Sequence, residues 1–271
     1  MMRRLAVAAL IAASMVHPFV SGAHADDPRS PMATDTNLVT ALNASDSIMR
    51  HEEWLQFEGM ADAIESEAFF EAATAGDHGR IGFAVIVWSS TARPDVVVPW
   101  TLIETPQDAR RAADALRAAR SRYGFAVRMG LNDGATTRGG DDLGSSVAGR
   151  RTDLSAALDV STDLLGRAPF ATGREVINIC GNGVDNVGAG PAAARDRALS
   201  SGAVINGLSI GHRGGVADYY RAYIQGGEGS FVLEVRQPGE MAAAMLEKFL
   251  RDLKVAQASP DTLPGVARPK R

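Results

Sequence analysis

The sequence predicts an α/β domain: a doubly wound, mostly parallel six-stranded sheet with helices on both faces and one short antiparallel strand. Three observations carry this. Apolar runs of strand length alternate with amphipathic runs of helix length from residue 37 to residue 253. Several of the short runs are apolar almost without interruption, as in strands covered on both faces. One pair, 81–88 and 95–100, is joined by a link too short for a crossover helix, so it reads as an antiparallel hairpin.

The elements follow in order. Residues 37–43 form the first strand. Residues 51–65 form a helix whose apolar face carries Trp54, Leu55, Phe57, Met60 and Ile64 at helical spacing. The hairpin comes next, then a helix over 106–120 with Ala113, Leu116 and Ala119 inward. Residues 123–151 are rich in Gly, Asp, Arg and Thr without a period, a long irregular stretch of the kind that is functional or mobile. Regular structure resumes with a helix over 152–165, a strand over 175–180, and a helix that Pro191 opens as its first residue. A strand over 203–209, a short helix over 216–224, a strand over 230–235 and a helix over 240–253 complete the domain.

The N-terminus has its own signature. Arg3 and Arg4 precede an apolar run over 5–16, and Ala23-His24-Ala25 offers the small-x-small pattern of a cleavage site. The expected organisation is a signal peptide over 1–25, a disordered lead-in over 26–36, a domain over 37–255 and a flexible tail over 256–271. The apolar run is shorter than the ~20 residues a membrane-spanning helix needs, and no later stretch reads as one. A periplasmic or secreted location follows from this organisation. Loss of residues 1–25 removes two Arg and no acid, moving the formal net charge from −4 to −6. A mildly acidic chain argues against nucleic acid as a partner. Cys180 is the only cysteine, which excludes an intramolecular disulfide and argues against a Cys-based zinc site; it reads as a small buried apolar residue.

In an open parallel sheet, ligands bind beyond the carboxyl ends of the strands where the strand order reverses. Three loops are thereby singled out. Asn43-Ala44-Ser45-Asp46-Ser47 follows the first strand, Thr152 opens a helix after the irregular stretch, and Cys180-Gly181-Asn182-Gly183 ends the fourth strand. This layout resembles the von Willebrand factor A domain, whose metal-ion-dependent adhesion site draws Asp-x-Ser-x-Ser from the first loop, Thr from the second and Asp from the third. The resemblance extends to an exported bacterial branch, the domain of unknown function 1194. Three stretches carry it: Gly79-Arg-Ile with Trp88-Ser89 and Val97-Val98-Pro99-Trp100, then Pro191-Ala-Ala-Ala-Arg-Asp-Arg-Ala-Leu, then Asp218-Tyr-Tyr-Arg with Gly226-Gly and Phe231-Val.

The resemblance implies a non-enzymatic binding module whose metal set would be Asn43, Ser45, Ser47, Thr152 and Asn182. Both carboxylates of the family pattern are amides here, and Arg151 stands where the family has Gly, so Thr136 or Thr137 is an alternative to Thr152. Mg²⁺ prefers one or two carboxylates. Losing one charge at ~4 Å costs about 4 kcal/mol at an effective dielectric near 20. The expectation is a degenerate site that holds no cofactor, or Mg²⁺ only weakly. Asp46, Asp141, Asp142 and Asp185 are candidates for the surrounding partner-binding face, with Asp153 a further acid nearby. Ser45 and Ser47 read also, and in preference to metal ligands, as turn or helix-capping residues. The partner would be an unidentified protein or envelope component.

Other motifs are weaker. Gly207-Leu-Ser209-Ile-Gly211 matches the G-x-S-x-G nucleophile elbow, the basis of an alternative reading as a serine hydrolase. Its only downstream His is His212, with no acid between them. Gly181-Asn-Gly183 continues to Asn186 rather than Gly, and no helix opens directly after it, against dinucleotide binding. His51, His78 and His212 form no metal-ligand spacing. A ligand-free structural domain of the envelope is the remaining alternative.

Overall fold

The computed structural model describes residues 31–44, 50–88, 94–128, 152–211 and 214–257. In chain order the elements are β1 (Met32–Ala33), β2 (Thr36–Asn43), α1 (Arg50–Glu65), α2 (Glu67–Ala73), β3 (Ile81–Trp88), β4 (Asp95–Ile103), α3 (Pro106–Arg128) and α4 (Leu154–Leu165). They continue with β5 (Phe170–Ala171), β6 (Glu175–Gly181), α5 (Ala192–Ser200), β7 (Val204–Ile210), α6 (Val216–Tyr223), β8 (Val232–Val235), a 3₁₀ turn at Pro238–Glu240 and α7 (Met241–Gln257). The main sheet has six strands in the order β4-β3-β2-β6-β7-β8. Only the β3–β4 pair is antiparallel, as the short link requires.

Every residue of β2 and β3 is buried, because each strand is covered on both faces. Side chains alternate between those faces. Leu38 and Leu42 of β2 enter a core built with α1, α2, α3 and α7, while Val39 and Ala41 enter a second core built with α4, α5 and α6. The first core is centred on Phe69, Phe83 and Phe249, whose rings meet edge-on at centroid distances of 5.3–6.3 Å. The chain leaves β2 toward β3 on one side and later returns as β6 on the other. The strand order therefore reverses between β2 and β6.

Several expectations are corrected. The lead-in is ordered at least from residue 31: β1 pairs in parallel with β5, and Thr34 is buried with its N–H donating to the Ala171 carbonyl at 2.8 Å. The sequence reading omitted α2, which Ser66 caps by accepting from Phe69 N–H at 3.2 Å. Trp54 is exposed rather than part of the inner face of α1; the Arg120 guanidinium lies 5.9 Å from its ring and shields one side. The backbone of α3 runs on to Arg128, so the expected irregular stretch begins later than residue 123. Pro191 caps α5 rather than opening it. The final helix reaches Gln257, past the expected start of the tail.

Candidate functional site

The reversal point places the C-terminal ends of β2 and β6 side by side. Their register pairs Leu42 with Cys180, so Asn43 and Gly181 are the last residues before two adjacent loops. Asn182 follows, and both Asn side chains are buried. Asn43 Nδ2 donates to Asn182 Oδ1 at 3.4 Å, across 139 residues of sequence. Gly181 is needed for this convergence. A Cβ there would lie 2.8 Å from Tyr220 Oη, 3.2 Å from Trp88 Cζ2 and 3.3 Å from Asn43 Cβ, so the strands close over a space that only glycine leaves.

The third loop comes from the start of α4. Thr152 is buried and sits under Gly183, where a Cβ would approach Thr152 Oγ1 at 3.3 Å. The segment is clasped by the loop after β6. Thr152 N–H donates to Asn186 Oδ1 at 2.6 Å, and Asn186 N–H donates to the Thr152 carbonyl at 3.0 Å. Leu154 N–H donates to Asp185 Oδ1 at 2.7 Å. Thr152 does not itself open the helix; Asp153 is the cap, accepting from Ala156 N–H at 2.8 Å. Burial pushes the Asp185 carboxyl up from its ordinary value, with the Leu154 N–H opposing and Asp153 reinforcing that shift.

Asn43, Thr152 and Asn182 thus converge at one end of the sheet. Asp185, half-buried, braces the α4 N-terminus through the Leu154 N–H. Asn186, passed over in the sequence except as a failed glycine position, fixes Thr152; a polar residue two or three positions beyond an Asn-Gly turn was the available signal. Ser45, Asp46, Ser47, Asp141 and Asp142 lie outside the described residues, as do Thr136, Thr137, Arg151 and His212.

Among the described residues the oxygen donors at this point are neutral. Asn43, Thr152 and Asn182 offer amide and hydroxyl oxygens without charge, and the carboxylate of Asp185 is turned to backbone N–H groups.

Ser209 lies inside β7, which continues to Ile210; it is buried and its Oγ is 3.5 Å from the Leu233 carbonyl. A nucleophile elbow needs its serine on a sharp turn between strand and helix, and Ser209 is not on one. Likewise α5 begins only at Ala192, well past Gly183. Cys180 is fully buried, with burial pushing its thiol up to about 12. Among the described residues no helix is long and apolar enough to cross a membrane.

The fold is that of a von Willebrand A domain. It is similar to the von Willebrand factor domain of the type V pili tip protein Mfa5 from Porphyromonas gingivalis (TM-score 0.55, 8% identity, covering 86% of this chain and 99% of that one). It is also similar to proximal thread matrix protein 1 from the mussel byssus (TM-score 0.53, 13% identity, covering 82% of this chain and 49% of that one), so it spans about half the length of the mussel protein. The sequence matches the family described as a protein of unknown function, DUF1194, over residues 33–137 and 143–257, and the chain belongs to that family. No curated protein matches it by sequence.

Proposed function

We propose that this chain is an exported, non-enzymatic protein-binding module whose recognition face is the loop cluster at the C-terminal ends of β2 and β6. One observation carries the reading: the two positions that would hold acids in a metal-dependent adhesion site are amides hydrogen-bonded to each other, Asn43 to Asn182. A neutral, internally paired couple needs no cation to hold the loops together, so binding is independent of divalent metal. Asn43, Thr152 and Asn182 form the floor of the face, and Ser45 and Ser47 are assigned to it from the sequence. Asp46, Asp141 and Asp142 flank it in sequence and supply the acidic contacts. Residues 1–25 act as the signal peptide, the location is periplasmic or extracellular, and the partner is a protein or envelope component.

Affinity capture tests this. The chain from residue 26 onward is immobilised and exposed to an envelope extract in Mg²⁺ and, in parallel, in EDTA. A specific partner retained equally in both, and lost on Asn43→Ala or Asn182→Ala, is the expected result. Release by EDTA would show a working ion site. Retention by both Ala variants would instead place the interface elsewhere or leave a purely structural domain.

A further inference from the structure

The face of the sheet beneath α7 contains a buried polar cluster remote from the loop site in function and chemistry. The middle residues of three neighbouring strands, Thr40, Asn178 and Asn206, lie side by side in register. Opposite them α7 presents Lys248 and, one turn later, Asp252, both fully buried. Lys248 Nζ contacts Asn178 Oδ1. Asp252 Oδ2 accepts from Asn178 Nδ2 at 2.7 Å, and Asp252 Oδ1 accepts from Asn206 Nδ2 at 2.7 Å. Lys248 Nζ and Asp252 Oδ1 are 3.8 Å apart. Phe231 covers the amine, with its ring centroid 4.9 Å from Nζ, and Arg174 reaches the Asp252 carbonyl at 3.4 Å.

A buried lysine and aspartate of this kind are costly as ions. Burial lowers the lysine's proton affinity and raises the aspartate's, although each opposes the other's shift and Arg174 also favours the anion. Both burial effects drive the proton from Nζ to the carboxylate. The Lys248 amine is thereby in contact with a carboxamide oxygen whose own NH₂ points at the Asp252 carboxyl group.

We propose that Lys248 and Asn178 become joined by an intramolecular isopeptide bond, with Asp252 relaying the proton. The neutral Nζ attacks Asn178 Cγ, and the Nζ–Cγ bond forms as the carbonyl electron pair moves to Oδ1. The Asp252 carboxyl gives its proton to Nδ2, the carboxylate so formed takes up the proton that Nζ sheds, and the Cγ–Nδ2 bond breaks as the oxygen pair returns. Ammonia leaves, and an amide links α7 to β6. No oxidant or cofactor enters the balance. Asn178 rather than Asn206 is the acceptor, because Nζ touches the Asn178 oxygen while the Asn206 oxygen accepts from Phe231 N–H at 2.9 Å. The bond would tie the last helix to a central strand across 70 residues, closing the chain against unravelling from its C-terminus.

Intact-mass measurement and peptide mapping of the folded full chain test this. The expected mass is below the sequence mass by one ammonia, with a branched peptide joining Asn178 to Lys248 and no tryptic cleavage after Lys248. Asn182-Gly183 and Asn206-Gly207 could lose the same mass as succinimides, but hydroxylamine cleaves a succinimide and leaves an isopeptide bond intact. Asp252→Asn, shown folded by circular dichroism, is expected to retain the full mass. Linear peptides containing unmodified Asn178 and Lys248 from the wild-type chain would overturn the proposal, even if the variant fails to fold. A folded Asp252→Asn that links as completely as wild type would overturn the relay.

Discussion

Restoring both acids at the loop site converts the proposed absence of metal dependence into a measurable quantity. In Asn43→Asp/Asn182→Asp, two carboxylates replace groups that are 3.4 Å apart and no more than 5% exposed. Two like charges at that distance repel by about 5 kcal/mol at an effective dielectric near 20. The variant has a cheaper escape, since one Asp can stay protonated. Holding a carboxyl with an ordinary value near 3.9 protonated at pH 7 costs about 4 kcal/mol. The deficit without metal is therefore about 4 kcal/mol, or roughly 8–16 °C in melting temperature for a domain of this size. A divalent cation at ~100 times its dissociation constant returns about 2.7 kcal/mol.

The assay is thermal unfolding in EDTA and in a Mg²⁺ series, at pH 7 and again near the ordinary carboxylate range. The double variant should be destabilised in EDTA and progressively rescued by Mg²⁺, with wild type flat throughout. The sign with pH follows from the raised carboxyl: its penalty is present above the ordinary Asp value and fades as pH falls toward it. Wild type gaining stability from Mg²⁺ would refute the metal-independent reading. A double variant that melts like wild type in EDTA would show that Asn43 and Asn182 are not held in contact.

Three further outcomes are expected. Tyr220 Oη is buried and, among the described residues, has no hydrogen-bond partner, so Tyr220→Phe should leave stability unchanged or raise it by about 1 kcal/mol; a loss of that size in denaturant unfolding would reveal an acceptor. Burial raises the Asp185 carboxyl above 3.8, so wild type minus Asp185→Asn should be most favourable at acid pH. That difference should shrink as pH rises from 3.8 through the raised value, whereas one growing with pH would mean that the Leu154 N–H outweighs burial. Ser209→Ala removes only a 3.5 Å contact inside β7 and should cost less than ~1 kcal/mol while leaving any ester hydrolysis by the preparation unchanged; abolition of such activity would restore the hydrolase reading.

The strands and helices were legible because burial on two faces leaves a nearly unbroken apolar run, and burial on one face leaves a helical stripe. Both patterns are local. The same logic explains what was misread. Trp54 has the spacing of a core residue, but its neighbour across the helix pair is Arg120, and periodicity cannot reveal which face a partner covers. The two-residue β1 carries no period at all, and is ordered only because Phe170 and Ala171 arrive beside it.

At the site the division is sharper. Sequence alone placed amides at Asn43 and Asn182, where the family resemblance implies acids, and glycines on either side of the second. It could not determine that the two amides touch, that Gly181 makes room for Tyr220, Trp88 and Asn43 together, or that Asp185 is committed to the backbone of α4. Nor could it show that Lys248 and Asp252, one turn apart on α7, are fully buried against the sheet. Residue identity fixes which groups are available. Which of them meet, and whether water is present when they do, depends on contacts between segments 70 or 139 residues apart, and only the folded chain creates those.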